Sequence, residues 1–235
     1  MSIVDTVRPG PPRDFLISAA YHTPNGPLHL GHLLGPYLAA DVVGRHLASL
    51  GHRVVSTTAT DAHEAYVLLS SRLAGRAPEE VATGHHASAA RTLAGFALHQ
   101  DSFIDGAAEP WRSAYHRHSH RIAEYLARRQ RIEPRPGRLL RSRRSGRYVI
   151  GPFALGRCPE CGAGGGGTCC EACGMWFPPQ DLVDPATRLA EDGDPAWATV
   201  PTAFLTGGRE FIPPIDPARL DRLLGAAPAA QPGRP

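Results

Sequence analysis

Five cysteines, and two histidines separated by a leucine and a glycine, are the residues of this 235-residue chain whose types and spacing can do chemistry. Cys158 and Cys161 are spaced CxxC, as are Cys170 and Cys173, with eight residues between the pairs. A CxxC turn directs two thiolates at one ion, and two such turns complete a tetrahedron. Zinc suits this sulfur set, and four thiolates leave no open position, so its part is structural. Glycines at 162, 164–167 and 174 relieve backbone crowding in such turns. Cys169 is left over; it can replace Cys170 as a ligand, or the site can stand empty. The histidines lie in PNGPLHLGH, Pro24–His32. If a helix starts there, its free N–H groups favour phosphate, and both imidazoles can donate to phosphate oxygens. Gly31 lacks a Cβ and lets a flat ring approach the backbone. The plain alternative is a polar helix start with incidental histidines.

The elements that must hold these residues follow from periodicity. Residues 14–20 (DFLISAA) read as a buried strand and 21–28 as a loop. From His29 to Leu50 apolar residues recur at helical spacing, and Gly51 stands where a helix-ending glycine would. Arg53–Thr60 reads as a second strand. Strand, glycine loop, helix and strand make a βαβ unit, and ligands of such sheets bind at the loop after the first strand. Residues 61–94 read as helical with a break at Gly75–Pro78, and Trp111–Arg131 as a further helix. Short strands are expected over 131–153 and mixed short elements over 183–223. Trp176 is expected to pack over the cysteine turns, and His85, His86, Trp111, His116, His118 and His120 to be packing or surface groups. The fold class is α/β, a parallel sheet with helices plus a small zinc-bearing insertion.

Composition narrows the function. All 25 basic residues are arginine. Without lysine, Walker-type phosphate loops and Schiff-base chemistry are excluded for these residues. No apolar run reaches the length of a membrane span, and the first residues lack the apolar core of a signal peptide. A reducing, cytoplasmic setting is expected, with the cysteines as metal ligands or thiols. Arg112–Arg147 holds twelve arginines against Glu124 and Glu133, a field suited to a phosphate backbone or to a solvated surface.

Three motifs in order resemble class I aminoacyl-tRNA synthetases, the methionyl-tRNA synthetase group in particular. HLGH (29–32) after PNG is similar to that family's HIGH motif. GHRVVSTTATDAHEAY (Gly51–Tyr66) resembles its second strand and Asp-x-His turn, and Gly156–Pro185 its zinc knuckle. The resemblance implies a Rossmann-like domain split by a zinc-bearing insertion. It also implies ATP-dependent amino acid activation, with Mg²⁺ on the triphosphate, and transfer to tRNA. Carried over, His29 and His32 are the catalytic pair, and Asn25, Gly26 and Gly31 join them in binding ATP. Asp61 holds the substrate ammonium, and Ala20, Tyr21 and Thr23 line the amino acid pocket. Cys158, Cys161, Cys170 and Cys173 hold zinc. The implied organisation is a leader over 1–13, half of the nucleotide-binding domain over 14–110 and an insertion over 111–200. A return segment over 201–224 and a disordered tail over 225–235 follow. Arg112–Arg147 would approach the tRNA acceptor end.

The sequence departs from the family in three places. Its Lys-Met-Ser-Lys-Ser motif has no counterpart, so the chain is expected to be truncated, with a partner chain or a second copy completing the domain. Thr23 stands where the family has a methionine-packing tyrosine, with His22 at the neighbouring proline. Glu64 stands where a glycine follows the histidine. Two alternatives therefore accompany the resemblance. One is a tRNA-independent paralogue that activates an amino acid for a small acceptor, as in hydrazine-forming pathways; the other is a non-catalytic module that binds ATP or tRNA.

Overall fold

The computed structural model describes residues 11–206. The expected leader up to position 10, the return segment from 207 and the tail over 225–235 lie outside the described residues. The described residues fall into two compact units, one holding 11–120 and 138–199, the other 121–137 and 200–206.

The first unit opens with a parallel sheet. Strand β1 (Asp14–Ser18) leads into a loop and then a helical run, α1, over 30–49. This run has three parts: a turn at Leu30–His32, a π-helical segment at Leu33–Tyr37 and an α-helical segment at Leu38–Ser49. Pro36 lies inside the π segment; it has no N–H for the helical ladder, and the extra residue absorbs the break. Gly51, at φ 83°, ends the run in the left-handed conformation that the sequence anticipated. Strand β2 (Arg53–Ala59) follows, then helices α2 (Ala65–Ala74) and α3 (Pro78–Gly95), and strand β3 (Ser102–Ile104). The break between α2 and α3 falls where Gly75 and Pro78 predict it, with Gly75 at φ 63° and Pro78 in the first turn of α3.

β1, β2 and β3 pair in parallel in sequence order. Right-handed crossovers between strands in sequence order put the connecting helices on one face. Ala19, Leu33, Tyr37, Ala40, Leu93 and Leu98 form the buried core there. Gly44 faces the sheet, where a Cβ would make ordinary contact with Ser56, Ile17 and Val54. Among the described residues, no element covers the opposite face. Leu16 is 73% exposed and Val55, its register partner, 51% exposed. Buried parallel sheets need cover on both sides.

Helix α4 (Trp111–Arg128) precedes strand β4 (Ile132–Ser142). The expected short strands over 131–153 give way to this one 11-residue strand. It carries Pro134 and Pro136, which a two-stranded sheet tolerates because each strand has a free edge. Strands β5 (Ala154–Arg157), β6 (Gly164–Gly166) and β7 (Val183–Thr187) form a three-stranded sheet in the order β6-β5-β7. Strand β8 (Pro195–Leu205) pairs with β4, again longer than the mixed short elements expected. The second unit contains the end of this ladder: a Cβ on Gly137 would collide with Thr202, so only glycine fits that crossing.

Candidate functional site

His29 caps α1. Its Nδ1 accepts the Gly31 N–H at 3.1 Å, while Nδ1 of His32 accepts the His29 N–H at 3.4 Å. The rings stack with centroids 3.8 Å apart. This reciprocal cap satisfies helix-start N–H groups that otherwise lack partners. It also fixes a tautomer: a nitrogen that accepts an N–H carries no proton, so each neutral ring holds its proton on Nε2. Burial, then the neighbouring His29, pushes the His32 pKa below its ordinary value, which keeps that ring neutral near pH 7. Two Nε2–H donors therefore remain for a ligand at the start of α1. Gly31 is required for a reason the sequence did not give. A Cβ there would lie 3.0 Å from His29 Cε1 and 3.1 Å from its Nδ1, displacing the capping ring.

The residues expected to line the amino acid pocket come from two adjacent strand ends. His22 bridges Thr60 in parallel, and its carbonyl accepts the Asp61 N–H at 3.0 Å. This aligns Ala20, Tyr21 and Thr23 with Asp61 at the C-terminal edge of the sheet. Ala20 and Tyr21 are exposed and Thr23 is half-buried. Burial, then the nearby Glu64 carboxylate, raises the Asp61 pKa. Asn25 is held by its backbone: its N–H donates to the Thr23 carbonyl at 2.9 Å, and its own carbonyl accepts from Ser70 Oγ at 3.1 Å. Around Gly26 a side chain would meet nothing within 4 Å.

Sequence reasoning missed what lies beneath this edge. His22 is 5% exposed, and its Nδ1 is 2.6 Å from the hydroxyl of the fully buried Tyr37. Burial, then the His32, His86 and His85 charges, pushes His22 down to about 4, and burial pushes Tyr37 up to about 12. The His22 ring lies 5.6 Å from that of His32. A tyrosine in the apolar stripe of α1 was the available signal, because a buried hydroxyl needs a partner. His86, 3.4 Å from Thr60 Oγ1, is half-buried beside Phe103. His63 stacks on Tyr115 at 4.0 Å, with His116 edge-on at 4.9 Å.

The cysteines converge as their spacing requires. The sulfurs of Cys158, Cys161, Cys170 and Cys173 all lie within 4.8 Å of one another. Cys158 and Cys173 are 3.9 Å apart, and Cys161 and Cys170 3.6 Å. A tetrahedron of ~2.3 Å zinc–sulfur bonds puts sulfurs about 3.8 Å apart, so the four fit one zinc ion. The two turns repeat each other. Gly162 N–H donates to the Cys158 carbonyl at 3.0 Å, and Gly174 N–H to the Cys170 carbonyl at 2.8 Å, both glycines with positive φ. Backbone N–H groups of Cys173 and Ala172 push the Cys170 thiol down to about 7, toward the thiolate a metal needs. Cys169 stays outside the cluster, and Cys170 is its fourth member. Trp176 does not pack over the turns: it is 74% exposed. Only its backbone is engaged, bridging Cys169, and the next residue, Phe177, enters the core beside Cys158 and Cys170.

The arginine stretch is less bare than its composition suggests. Arg112 pairs with Glu109 at 3.1 Å and Glu79 at 3.5 Å, Arg147 with Asp192 at 2.8 Å, and Arg143 with Asp194 at 3.7 Å. All four acids lie outside the stretch, Glu109 just before it and the others in more distant segments. Arg117 and Arg121 have no ion pair among the described residues. His116, His118 and His120 are exposed.

A parallel sheet whose first crossover helix begins with a histidine-capped HLGH turn, followed by a four-cysteine cluster, is the α/β arrangement of a class I synthetase. The sequence model of the tRNA synthetases class I (M) matches residues 15–205, and the chain belongs to that family, in its methionyl-tRNA synthetase-like group. It is 28% identical over 179 residues to the methionine–tRNA ligase of Rubrobacter xylanophilus, covering 74% of this chain and 30% of that protein. The methionine–tRNA ligase of Acidithiobacillus ferrooxidans is 33% identical over 186 residues, 76% of this chain and 26% of that protein. The chain thus spans about a third or less of the relatives it matches. Its fold is similar to part of the Mycobacterium tuberculosis methionyl-tRNA synthetase in complex with methionyl-adenylate (TM-score 0.53, 18% identity, 82% of this chain, 32% of that one). It also matches the Agrobacterium radiobacter LeuRS complex with tRNA and LeuAMS (TM-score 0.54, 14% identity, 85% and 21%). Among the described residues no helix is long and apolar enough to cross a membrane.

Proposed function

We propose that this chain carries the ATP-facing half-site of an amino acid-activating enzyme. In this reading an amino acid carboxylate attacks the α-phosphorus of ATP, pyrophosphate leaves, and the aminoacyl adenylate passes its acyl group to tRNA. The observation that carries it is the reciprocal cap, which leaves an Nε2–H donor on each of His29 and His32 at a helix start. Donors fixed before the reaction stabilise charge as it builds on the phosphate oxygens. Gly31 leaves room for the His29 ring and for adenine over the backbone. Asn25 and Gly26 shape the approach, and Asp61 holds the substrate ammonium against Ala20, Tyr21 and Thr23. Mg²⁺ arrives with the triphosphate and neutralises part of its charge.

Cys158, Cys161, Cys170 and Cys173 hold a structural zinc, which fits thiols kept reduced in the cytoplasm. Residues 111–200 serve as the insertion that displays it. Arg117 and Arg121 are the arginines most open to a tRNA acceptor end. The bare face at Leu16 and Val55 takes a second α/β layer, supplied by a partner polypeptide; a second copy of this chain would appear instead as a dimer in solution.

The test is ATP–pyrophosphate exchange by the zinc-loaded protein, run across the standard amino acids. Exchange with one amino acid, abolished by His29→Ala, is expected. No exchange from folded, zinc-loaded protein, alone or with its co-purified partner, would overturn the catalytic reading in favour of a binding module. Exchange unaccompanied by tRNA charging would favour the paralogue with a small acceptor, to which Glu64 and Thr23 point.

A further inference from the structure

The turn that carries Asp61 is tied to the sheet through its backbone and to a distant helix through His63. The Asp61 N–H donates to the His22 carbonyl and the Ala62 N–H to the Thr60 carbonyl, both at 3.0 Å. Gly106 closes against the same backbone: a Cβ there would lie 2.6 Å from the Thr60 oxygen. His63 lies flat on Tyr115, with ring centroids 4.0 Å apart and planes 8° from parallel. His116 meets the same imidazole edge-on at 4.9 Å. Nε2 of His63 is buried with no hydrogen-bond partner, so on that side the ring is placed by contact alone. Glu64 then caps α2, its carboxylate accepting the Tyr66 N–H at 3.0 Å.

Tyr115 is better placed to hold this turn than to hold a core. The start of its helix, α4, is fixed by Arg112, which pairs with Glu109 at 3.1 Å and with Glu79 at 3.5 Å. Yet the Tyr115 side chain is 50% exposed, and α4 buries none of its residues. A half-exposed aromatic pair removes little surface from water, but its preferred geometry fixes the plane and position of the partner ring. A carboxylate that must meet an ammonium gains from being held in place before the ligand arrives.

We propose that Tyr115 is a positioning residue of the amino acid subsite: its stack on His63 holds the 61–64 turn in the conformation in which Asp61 receives the substrate ammonium. This rests on the activation reading of that subsite. The first helix of the proposed insertion then does more than lead toward the cysteine cluster; it sets the affinity for the amino acid. Without the stack the turn spends time in arrangements that do not bind, and apparent affinity falls with the competent fraction. ATP meets His29 and His32 at the start of α1, outside this turn, and its binding is unaffected.

ATP–pyrophosphate exchange by the full, zinc-loaded chain is measured with the amino acid that supports it, varying each substrate in turn. Tyr115→Leu keeps the bulk and loses the ring. It should raise the KM for the amino acid about 3- to 10-fold, the factor to which the energy of an aromatic pair converts, with kcat and the KM for ATP unchanged. Tyr115→Phe should keep the parent values, since the stack needs the ring and not the hydroxyl. His63→Leu should raise the same KM, and the double variant should be no weaker than either single one. An unchanged amino acid KM, a loss shared by both substrates or confined to kcat, additive effects, or a Tyr115→Phe variant as weak as Tyr115→Leu would overturn the proposal and leave the activation reading standing. No exchange by the unaltered protein with any amino acid would sink both. Where Tyr115→Leu fails to fold, proton NMR of the unaltered protein decides. The His63 ring signals should move on addition of the amino acid and not with ATP alone, and signals that ignore the amino acid would overturn the proposal.

Discussion

The cysteine cluster gathers its four ligands from residues 158–173, within two copies of one turn, whereas the histidine crevice draws on a loop, a helix start and two strand ends. Each sulfur of the cluster is placed by chain a few residues away: Gly162 and Gly174 close the two turns, and Phe177 backs them. The crevice depends on pairing over longer range, with His22 set against Thr60 and buried against Tyr37. One is a closed set of four sulfurs built from neighbouring chain. The other stands at the edge of a sheet with a bare second face, where Leu16 and Val55 meet solvent. A closed site depends on its ion for stability, and an open crevice leaves its donors available to ligands.

The largest expected effect separates Cys170 from its neighbour. Cys170→Ser should abolish zinc binding and unfold the β5–β7 sheet, because structural zinc sites supply on the order of 10 kcal/mol. Cys169→Ser should leave one zinc per chain, measured by atomic absorption with a thermal melt beside it. Equal loss in both variants would break the assignment of ligands. At the crevice, His29→Ala removes one donor to the phosphates, and exchange activity should fall by about 10²–10³-fold. Gly31→Ala should fall in the same direction by a smaller factor, since its Cβ only displaces the His29 ring.

The crevice should also respond to pH through a buried imidazole. His22 is held at about 4 in the folded chain, against an ordinary value of 6.5. Below 6.5 the unfolded chain takes up a proton that the folded one refuses, so stability should fall as pH drops from 6.5 toward 4. The full shift is worth about 3 kcal/mol. His22→Gln should flatten that dependence in urea melts at stepped pH, and an unchanged slope would count against the burial of the ring. Tyr37→Phe strands His22 Nδ1 and should cost about 1–3 kcal/mol at neutral pH. Smallest is Leu16→Arg: on a bare face it should move stability by less than about 0.5 kcal/mol. The same change should block association with a covering partner in sedimentation or pull-down of the co-purified complex.

These contrasts also explain how far the sequence could be read. The alternation of strand, glycine loop and helix placed β1, α1 and β2 to within a few residues, because local periodicity and Gly51 set their limits. The cysteine spacing implied a cluster, and the sulfurs meet as it requires. What was not legible arises between distant segments. Of the salt bridges of the arginine stretch, those to Glu79, Asp192 and Asp194 come from segments that no short window around it contains. Trp176, expected over the turns, is turned out and Phe177 packs instead, because alternation along an extended segment turns one out and the next in. The length of β4 was hidden by Pro134 and Pro136, which signal a break except on an edge strand.

The central claim is that His29 and His32 present paired donors to a nucleotide phosphate. Titration of ATP into the zinc-loaded protein, followed by the imidazole nitrogen-15 and proton signals of both residues, tests it most directly. Saturable shifts of the two Nε2–H groups, absent with adenosine alone and lost in His29→Ala, are the predicted result. Imidazole signals that stay fixed through saturating ATP, or Nδ1–H tautomers in the free protein, would contradict it.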